Sequence, residues 1–423
     1  MEYPTDVEYM KGWYKPKESY SQFGILVCSC NNTAVENISK ELPDLSILKK
    51  EIEEKKYVDF FDREKNPDIY FSDISDFILA SNDGKKKNEI EKKSWGIVSV
   101  PLGKKKNIDS FIFSPIQQLR YRSDEDIQLS ISDFEKAKKD FITQEEIVKN
   151  LIREKKLDEG FFKKLEDELD ECQLGNPWND EKLNFERELL FCKSIELRKQ
   201  FILASKAIRD NLRILLHIWG NNDRKTKDVR YLGPEQDVIF IDLFQSLFMI
   251  VPVISSTFAS VQRMFRFVQK PAQIGLLIVD EAGQATPQQA VGAIFRSKQI
   301  CVVGDPMQIE PVITVPTFIN SLIDDTGIKE YTYRKDSIQT FADRMNCIGS
   351  YLENKIERTY TWVGCPLNVH RRCIEPMFSI SNELSYDLSM MNDTRDKSEN
   401  TIFDKSYWFD ICGADKWKDH SVD

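Results

Sequence analysis

Two short segments hold residues whose types and spacing suit phosphate chemistry. The first is LLIVDEAGQAT, residues 276–286. Its run of large apolar residues puts Asp280 and Glu281 at the carboxyl end of a buried strand. Two adjacent carboxylates at such a place are costly unless they have a task. One can hold a Mg2+ ion through its water shell, and the other can orient and activate a water for attack. The second segment is CVVGDPMQIEPV, residues 301–312. Gly304 permits close backbone approach, and Asp305 and Gln308 lie just past a strand tip. A neutral Gln can hydrogen-bond both a terminal phosphate oxygen and a water. Each segment also has a purely structural reading. Asp at a strand-to-helix turn caps the helix, and Asp-Pro makes an ordinary turn.

These side chains need strands to carry them. Short apolar runs occur at residues 23–28 (FGILVC), 94–102 (SWGIVSVPL), 249–257 (MIVPVISST), 274–282 (IGLLIVDEA) and 298–305 (KQICVVGD). Helix-like stretches separate the last three, and AVENISKELPDL reads as a short helix stopped near Pro43. Alternation of this kind predicts a mainly parallel α/β sheet, with functional groups at the carboxyl ends of the strands. The pattern changes near residue 130. From Asp133 to Glu171, 22 of 39 residues are charged. Phe134, Phe141 and Val148 recur at seven-residue spacing, and Leu165 and Leu169 are four apart, as on amphipathic helices with solvated faces. Asn184 to Leu216 continues the pattern. A helical insertion is therefore expected over 128–228, followed by a polar segment, 222–236, that contains Gly233-Pro234. Residues 1–20 read as loop or linker.

The length of 423 residues allows two to four domains at roughly 100–200 residues each. Hydrophobic residues make up 41% and charged residues 30%, which excludes a collagen-like, disordered or small disulfide-stapled chain. No apolar run reaches the roughly 18 residues of a membrane span, and MEYPTDVEYMKGW does not resemble a signal or transit peptide. The nine cysteines include no CxxC pair, so reduced thiols and a cytoplasmic location are expected. A net charge of −10 shows no bulk basic footprint for nucleic acid. Binding in a local groove through amides and hydroxyls remains compatible with it.

The pair DEAGQAT and GDPMQIEPV resembles motifs II and III of superfamily 1 helicases, in the Upf1/DNA2-like branch that includes bacterial DNA2/NAM7-type proteins with AAA domains. CSCNNTAVENI (28–38) resembles the motif Ia region, VISSTFASV (253–261) a strand that presents Ser or Thr to nucleic acid, and PLNVHRRCIEPMFSISNELSY (366–386) motif IV. The resemblance runs from about residue 23 to 390. It implies a RecA-like P-loop NTPase core, ATP and Mg2+ as ligands, and single-stranded DNA or RNA as partner. Asp280 would serve Mg2+, Glu281 the attacking water, and Gln308 would sense the terminal phosphate. Arg372 would reach the phosphates from a second lobe. Gln284, Gly304, Asp305 and Arg371 would surround the nucleotide, with Arg371 where relatives often carry an aromatic that stacks on adenine. Asn32, Thr33, Ser256 and Thr257 would contact the strand's phosphates. The implied organisation is a partial first lobe (1–127), the helical insertion (128–228), the first lobe continued (229–355) and the start of a second lobe (356–423).

One element of the family pattern is missing. A phosphate cradle needs G-x-x-x-x-G-K-[ST], and no such run occurs. Gly84-Lys85 and Gly103-Lys104 are each followed by Lys and lack the earlier glycine. Nothing resembles motifs V and VI after motif IV. The expectation is the middle part of a longer helicase, inactive alone. The alternatives are a non-catalytic scaffold derived from a helicase, and a split ATPase whose P-loop comes from a neighbouring polypeptide.

Overall fold

The computed structural model describes residues 13–16, 21–52, 59–82, 84, 90–154, 180–220, 236–312, 336–354 and 359–394. The polar segment 222–235, the Leu165–Leu169 spacing and most of 1–20 lie outside them. The chain divides into two units, Met1–Ala342 and Asp343–Asp423, each described by itself.

In chain order the first unit contains β1 (Ile25–Ser29), α1 (Asn32–Glu41), α2 (Leu45–Ile52), α3 (Ser72–Asn82), β2 (Ser99–Pro101), α4 (Lys105–Phe113), α5 (Gln117–Arg120) and α6 (Asp124–Glu154). It continues with α7 (Glu181–Ala204), α8 (Lys206–Gly220), α9 (Gln236–Ile250), β3 (Val253–Thr257), α10 (Phe258–Met264), β4 (Ile274–Val279), α11 (Pro287–Arg296) and β5 (Ser297–Val302). Helix α12 (Ile338–Met345) follows.

The five strands form one sheet in the order β2-β3-β1-β4-β5. All four pairings are parallel, with Ile25 opposite both Val253 and Leu276. The mixed α/β architecture with a parallel sheet is that of a RecA-like P-loop fold. The central strands β1 and β4 are mostly apolar because parallel sheets are covered on both faces. Leu26, Cys28, Ile254, Leu277 and Val279 are completely buried. Burial also pushes the Cys28 thiol far above its ordinary range. The outer strand β5 differs. Lys298–Cys301 are exposed, so the run KQICVV is an edge strand despite its apolar sequence. Pro252 follows α9 and carries the carbonyl that accepts the Ile25 amide at 3.0 Å. The apolar run at 249–257 therefore divides into a helix end and a strand.

Among the described residues, 124–154, 181–204 and 206–220 are helical. Helices α6 and α7 pack along each other with their own apolar cluster of Val148, Leu151 and Leu183. The far end of α7 and all of α8 behave differently. Ile202, Leu212, Leu215, Leu216 and Trp219 join the cluster that covers the sheet. Rings of Phe111, Trp219, Phe244 and Phe265 connect α4, α8, α9 and the turn after α10 at centroid separations of 6.3, 6.1 and 4.6 Å. The end of α7 and helix α8 thus belong to the main core.

Two buried polar groups shape this unit. Arg63 donates to Asp76 at 3.0 Å and to the Ser94 carbonyl, and the Asp76 carboxylate also accepts the Lys93 and Ser94 amides at 3.0 and 2.8 Å. This cluster ties the segment before α3 to the approach to β2. On α9, Asp242 is only 3% exposed, and its Oδ2 has no hydrogen-bond partner.

The second unit begins at Asp343. It contains a hairpin of β6 (Gly349–Asn354) and β7 (Thr359–Gly364), antiparallel with Gly349 opposite Gly364. Asp343 is joined to it: its carboxylate accepts the Gly364 amide at 3.1 Å and its carbonyl the Trp362 indole N–H at 2.9 Å. Then come β8 (Val369–His370), α13 (Met377–Ser385) and β9 (Met391–Asn392), with β8 and β9 paired in parallel.

Candidate functional site

The carboxyl ends of β1, β3, β4 and β5 lie along one edge of the sheet, because the strands run parallel. At the end of β4 the Asp280 amide donates to the Cys28 carbonyl at 2.9 Å, so Asp280 continues the pairing with β1. Glu281 then turns the chain sharply. Its φ of 54° and ψ of 44° lie in the left-handed region, which costs a side-chain-bearing residue roughly 1–2 kcal/mol. Neighbouring bonds hold it there. The Ala282 amide donates to Val303 at 3.0 Å, and Gln284 Nε2 donates to Glu281 Oε2 at 3.2 Å. Strained non-glycine backbone of this kind concentrates at functional sites.

Neither carboxylate serves as a helix cap. Glu281 makes no capping bond. Thr286 caps α11 through a reciprocal box with Gln289, whose Oε1 accepts the Thr286 amide at 3.0 Å. The capping alternative for Asp280 therefore falls away.

The β5 end locks onto the β4 end. The Val303 amide donates to the Val279 carbonyl at 2.8 Å. A Cβ on Gly304 would stand 2.8 Å from the Ala282 nitrogen and 2.9 Å from the Gly283 nitrogen. A Cβ on Gly283 would stand 2.7 Å from the Asp305 carbonyl oxygen. Two glycines thus let the two motif loops touch backbone to backbone. Asp305 takes up the turn role. Its carboxylate accepts the Met307 amide and the Gln308 side-chain N–H, both at 2.9 Å. Gln308 is exposed beyond it. Asp280, Glu281, Gln284, Gly304, Asp305 and Gln308 therefore share one pair of interlocked loops.

A groove of about 580 Å³ opens beside them, lined by Cys30, Asn32, Thr257, Gln262, Gln288 and Gln289 among others. Asn32 and Thr33 are exposed on the first turn of α1, where Asn31 caps the helix by accepting the Thr33 amide at 2.9 Å. Ser256 corrects the expectation made for it. It is completely buried and its hydroxyl donates to the Thr257 carbonyl at 3.1 Å. Successive strand residues face opposite ways, so Thr257 reaches the groove and Ser256 does not. Cys30 is a residue that sequence reading passes over. Its thiol donates to the Gln284 carbonyl at 3.4 Å, and burial together with the nearby Glu281 carboxylate pushes its pKa upward. The glutamines that follow DEAGQAT gave no signal until α11 folded them toward α10.

In the second unit, Arg371 and Arg372 are both exposed on the turn after β8. Arg371 pairs with Asp393 at 3.0 Å across the surface. The His370 Nε2 accepts the Cys373 amide at 2.7 Å and shapes this turn.

A family model described as an AAA domain, AAA_11, matches residues 7–315, more than half of the chain. The chain belongs to the AAA_11 family. This AAA domain is found in Upf1/DNA2-like superfamily 1 helicases and is of the helicase-type P-loop NTPase kind. No curated protein matches the chain. The matched span contains β1 to β5, both interlocked loops of the AAA domain and its groove. Among the described residues no helix is long and apolar enough to cross a membrane.

Proposed function

We propose that this chain forms part of an ATP-dependent helicase or translocase of superfamily 1, with single-stranded DNA or RNA as its track. The observation that carries the proposal is the interlocking of the β4 and β5 loops. It brings Asp280 and Glu281 next to the segment that bears Gln308.

The donor set suits a hard cation. Asp280 offers carboxylate oxygens at a strand tip, the ligand type Mg2+ takes. Bound Mg2+ would neutralise charge on the phosphates. Glu281 is oriented by Gln284 and is the base for the water that attacks the terminal phosphorus. The phosphorus–oxygen bond to the diphosphate breaks, and the water's proton passes to Glu281. Gln308 hydrogen-bonds the terminal phosphate and reports its loss. The exposed Asn32 and Thr33 and the groove residue Thr257 hold the track's phosphates by neutral contacts.

In this reading Asp280 and Glu281 serve the metal and water half of the chemistry. The sequence contains no G-x-x-x-x-G-K-[ST] run, so the phosphate cradle comes from a polypeptide that carries one. The same observation favours a second reading, a scaffold without catalysis. The cysteines named among the described residues, Cys28 and Cys192 within the core among them, are all free thiols, consistent with work in the cytoplasm.

The test is ATP hydrolysis with Mg2+, with and without single-stranded nucleic acid. It is run on the chain alone and again after fusion to a segment that carries the cradle. Hydrolysis that appears only in the fusion, and is lost in Glu281→Gln, supports the enzyme reading. A fusion that binds Mg-ATP yet never turns over supports the scaffold.

A further inference from the structure

The groove beside the motif loops mixes polar and apolar side chains and carries little charge. Among the described residues its lining cation is Arg296, which is anchored by the Val268 and Gly292 carbonyls at 2.9 and 2.8 Å. A single strand carries one negative charge per nucleotide, and much of its affinity comes from cations that replace its counterions. A groove of amides and hydroxyls alone would position such a strand weakly.

We infer that Lys104, paired with Glu36 of α1, is a phosphate-contacting residue of the single-strand path. This inference rests on the single-strand reading above. Its position follows from the sheet. The Leu102 amide donates to the Ser255 carbonyl at 3.1 Å, beyond the end of β2. A Cβ on Gly103 would stand 2.9 Å from the Ser256 hydroxyl and 3.3 Å from Ser260 Cβ. The Arg263 guanidinium donates to the Gly103 carbonyl. The Gly103–Lys104 turn is thus stitched to the tip of β3, the strand that presents Thr257 to the groove.

From that turn Lys104 reaches α1. Its Nζ lies 2.8 Å from Glu36 Oε1. Glu36 stands four residues after Asn32 on the same helix, and residues so spaced share a face at about 5–6 Å between Cβ atoms. The ammonium's partner Glu36 therefore stands one helical turn from Asn32. The two side chains are 52% and 41% exposed, and a surface pair of this kind adds at most about 1 kcal/mol to stability. A phosphate can take the place of Glu36 at little cost to the fold. The neighbouring Lys106 is turned elsewhere, donating to the Asn82 carbonyl at 3.3 Å. Lys105 lines a separate cavity with Phe77 and Phe113. Lys104 is the lysine of this run that pairs with α1, the helix that carries Asn32.

The experiment uses the full chain with fluorescein-labelled dT12 and U12 oligonucleotides, reading anisotropy across a NaCl series. Lys104→Gln is expected to weaken binding roughly three- to tenfold at low salt. It should also lower the slope of log K against log salt by about 0.7, the value for one contact to a single strand. Lys104→Arg should restore both. Glu36→Gln should tighten binding severalfold, which loss of a merely structural pair would not do. Thr257→Ala should weaken binding with the slope unchanged, because a hydroxyl displaces no counterion. Equal effects on dT12 and U12 indicate a shared phosphate contact, and an effect on one alone identifies the natural strand. An unchanged slope in Lys104→Gln, with binding still dependent on Asn32 and Thr257, overturns the role of Lys104 and leaves the groove intact. No binding of either oligonucleotide by the unaltered chain overturns the single-strand reading and this inference with it.

Discussion

Asp242 offers a direct test of how a buried charge weakens this fold. It sits on α9, 3% exposed. Oδ2 has no partner, and Oδ1 has only a long contact, 3.4 Å, from the Gln245 amide. Burial pushes its pKa from 3.8 up to about 7, and Lys15 pulls it back only in part. The sign follows from proton binding. Between about pH 4 and 7 the folded chain keeps a proton that the unfolded chain has lost. Stability therefore falls as pH rises through this window, and the loss is complete above about 7. The gap between 3.8 and about 7 corresponds to about 4 kcal/mol. Asp242→Asn removes this titration but places an amide NH2 where no acceptor stands, at roughly 1–3 kcal/mol. The variant should be less stable than the parent near pH 4 and more stable by about 1–3 kcal/mol at pH 8. Urea denaturation of both proteins at four pH values measures the difference. It should grow by about 1.4 kcal/mol per pH unit across the window and then level off. A difference that stays flat from pH 4 to 8 would refute the placement of a buried, unpartnered carboxylate.

Arg63→Ala should destabilise the first unit by about 3–5 kcal/mol, because it leaves Asp76 buried without its guanidinium; denaturant midpoints measure it. Gly304→Ala should cost about 1–3 kcal/mol and spread the two motif loops, since its new Cβ meets backbone nitrogens at 2.8 and 2.9 Å. A substitution with no effect on denaturation would show that the loops do not interlock. Asn31→Ala should cost about 1 kcal/mol through loss of the α1 cap. Asn31→Asp, which keeps an acceptor, should retain most of that stability.

Much of this protein was legible in order along the chain. The run LLIV before Asp280-Glu281 specified a buried strand, because four consecutive large apolar residues need cover on both sides of a sheet. Motif order specified which strand tips carry polar groups. Helix α6 followed from charge and spacing, since its solvated face repeats with the helical period. The tertiary structure decided what depends on neighbours distant in sequence. KQICVV and IGLLIV look alike as sequences, yet one is exposed at the edge and the other buried at the centre of the same sheet. Only the strand order distinguishes them. Ser256 and Thr257 are adjacent and chemically similar, and strand alternation hides one while presenting the other. Helix α8 reads as a continuation of a charged insertion, but packing of Leu212, Leu215 and Trp219 against α4 and α9 makes it part of the core. Lys104 and Glu36 are 68 residues apart. No local pattern pairs them, because the fold alone brings the end of β2 beside α1.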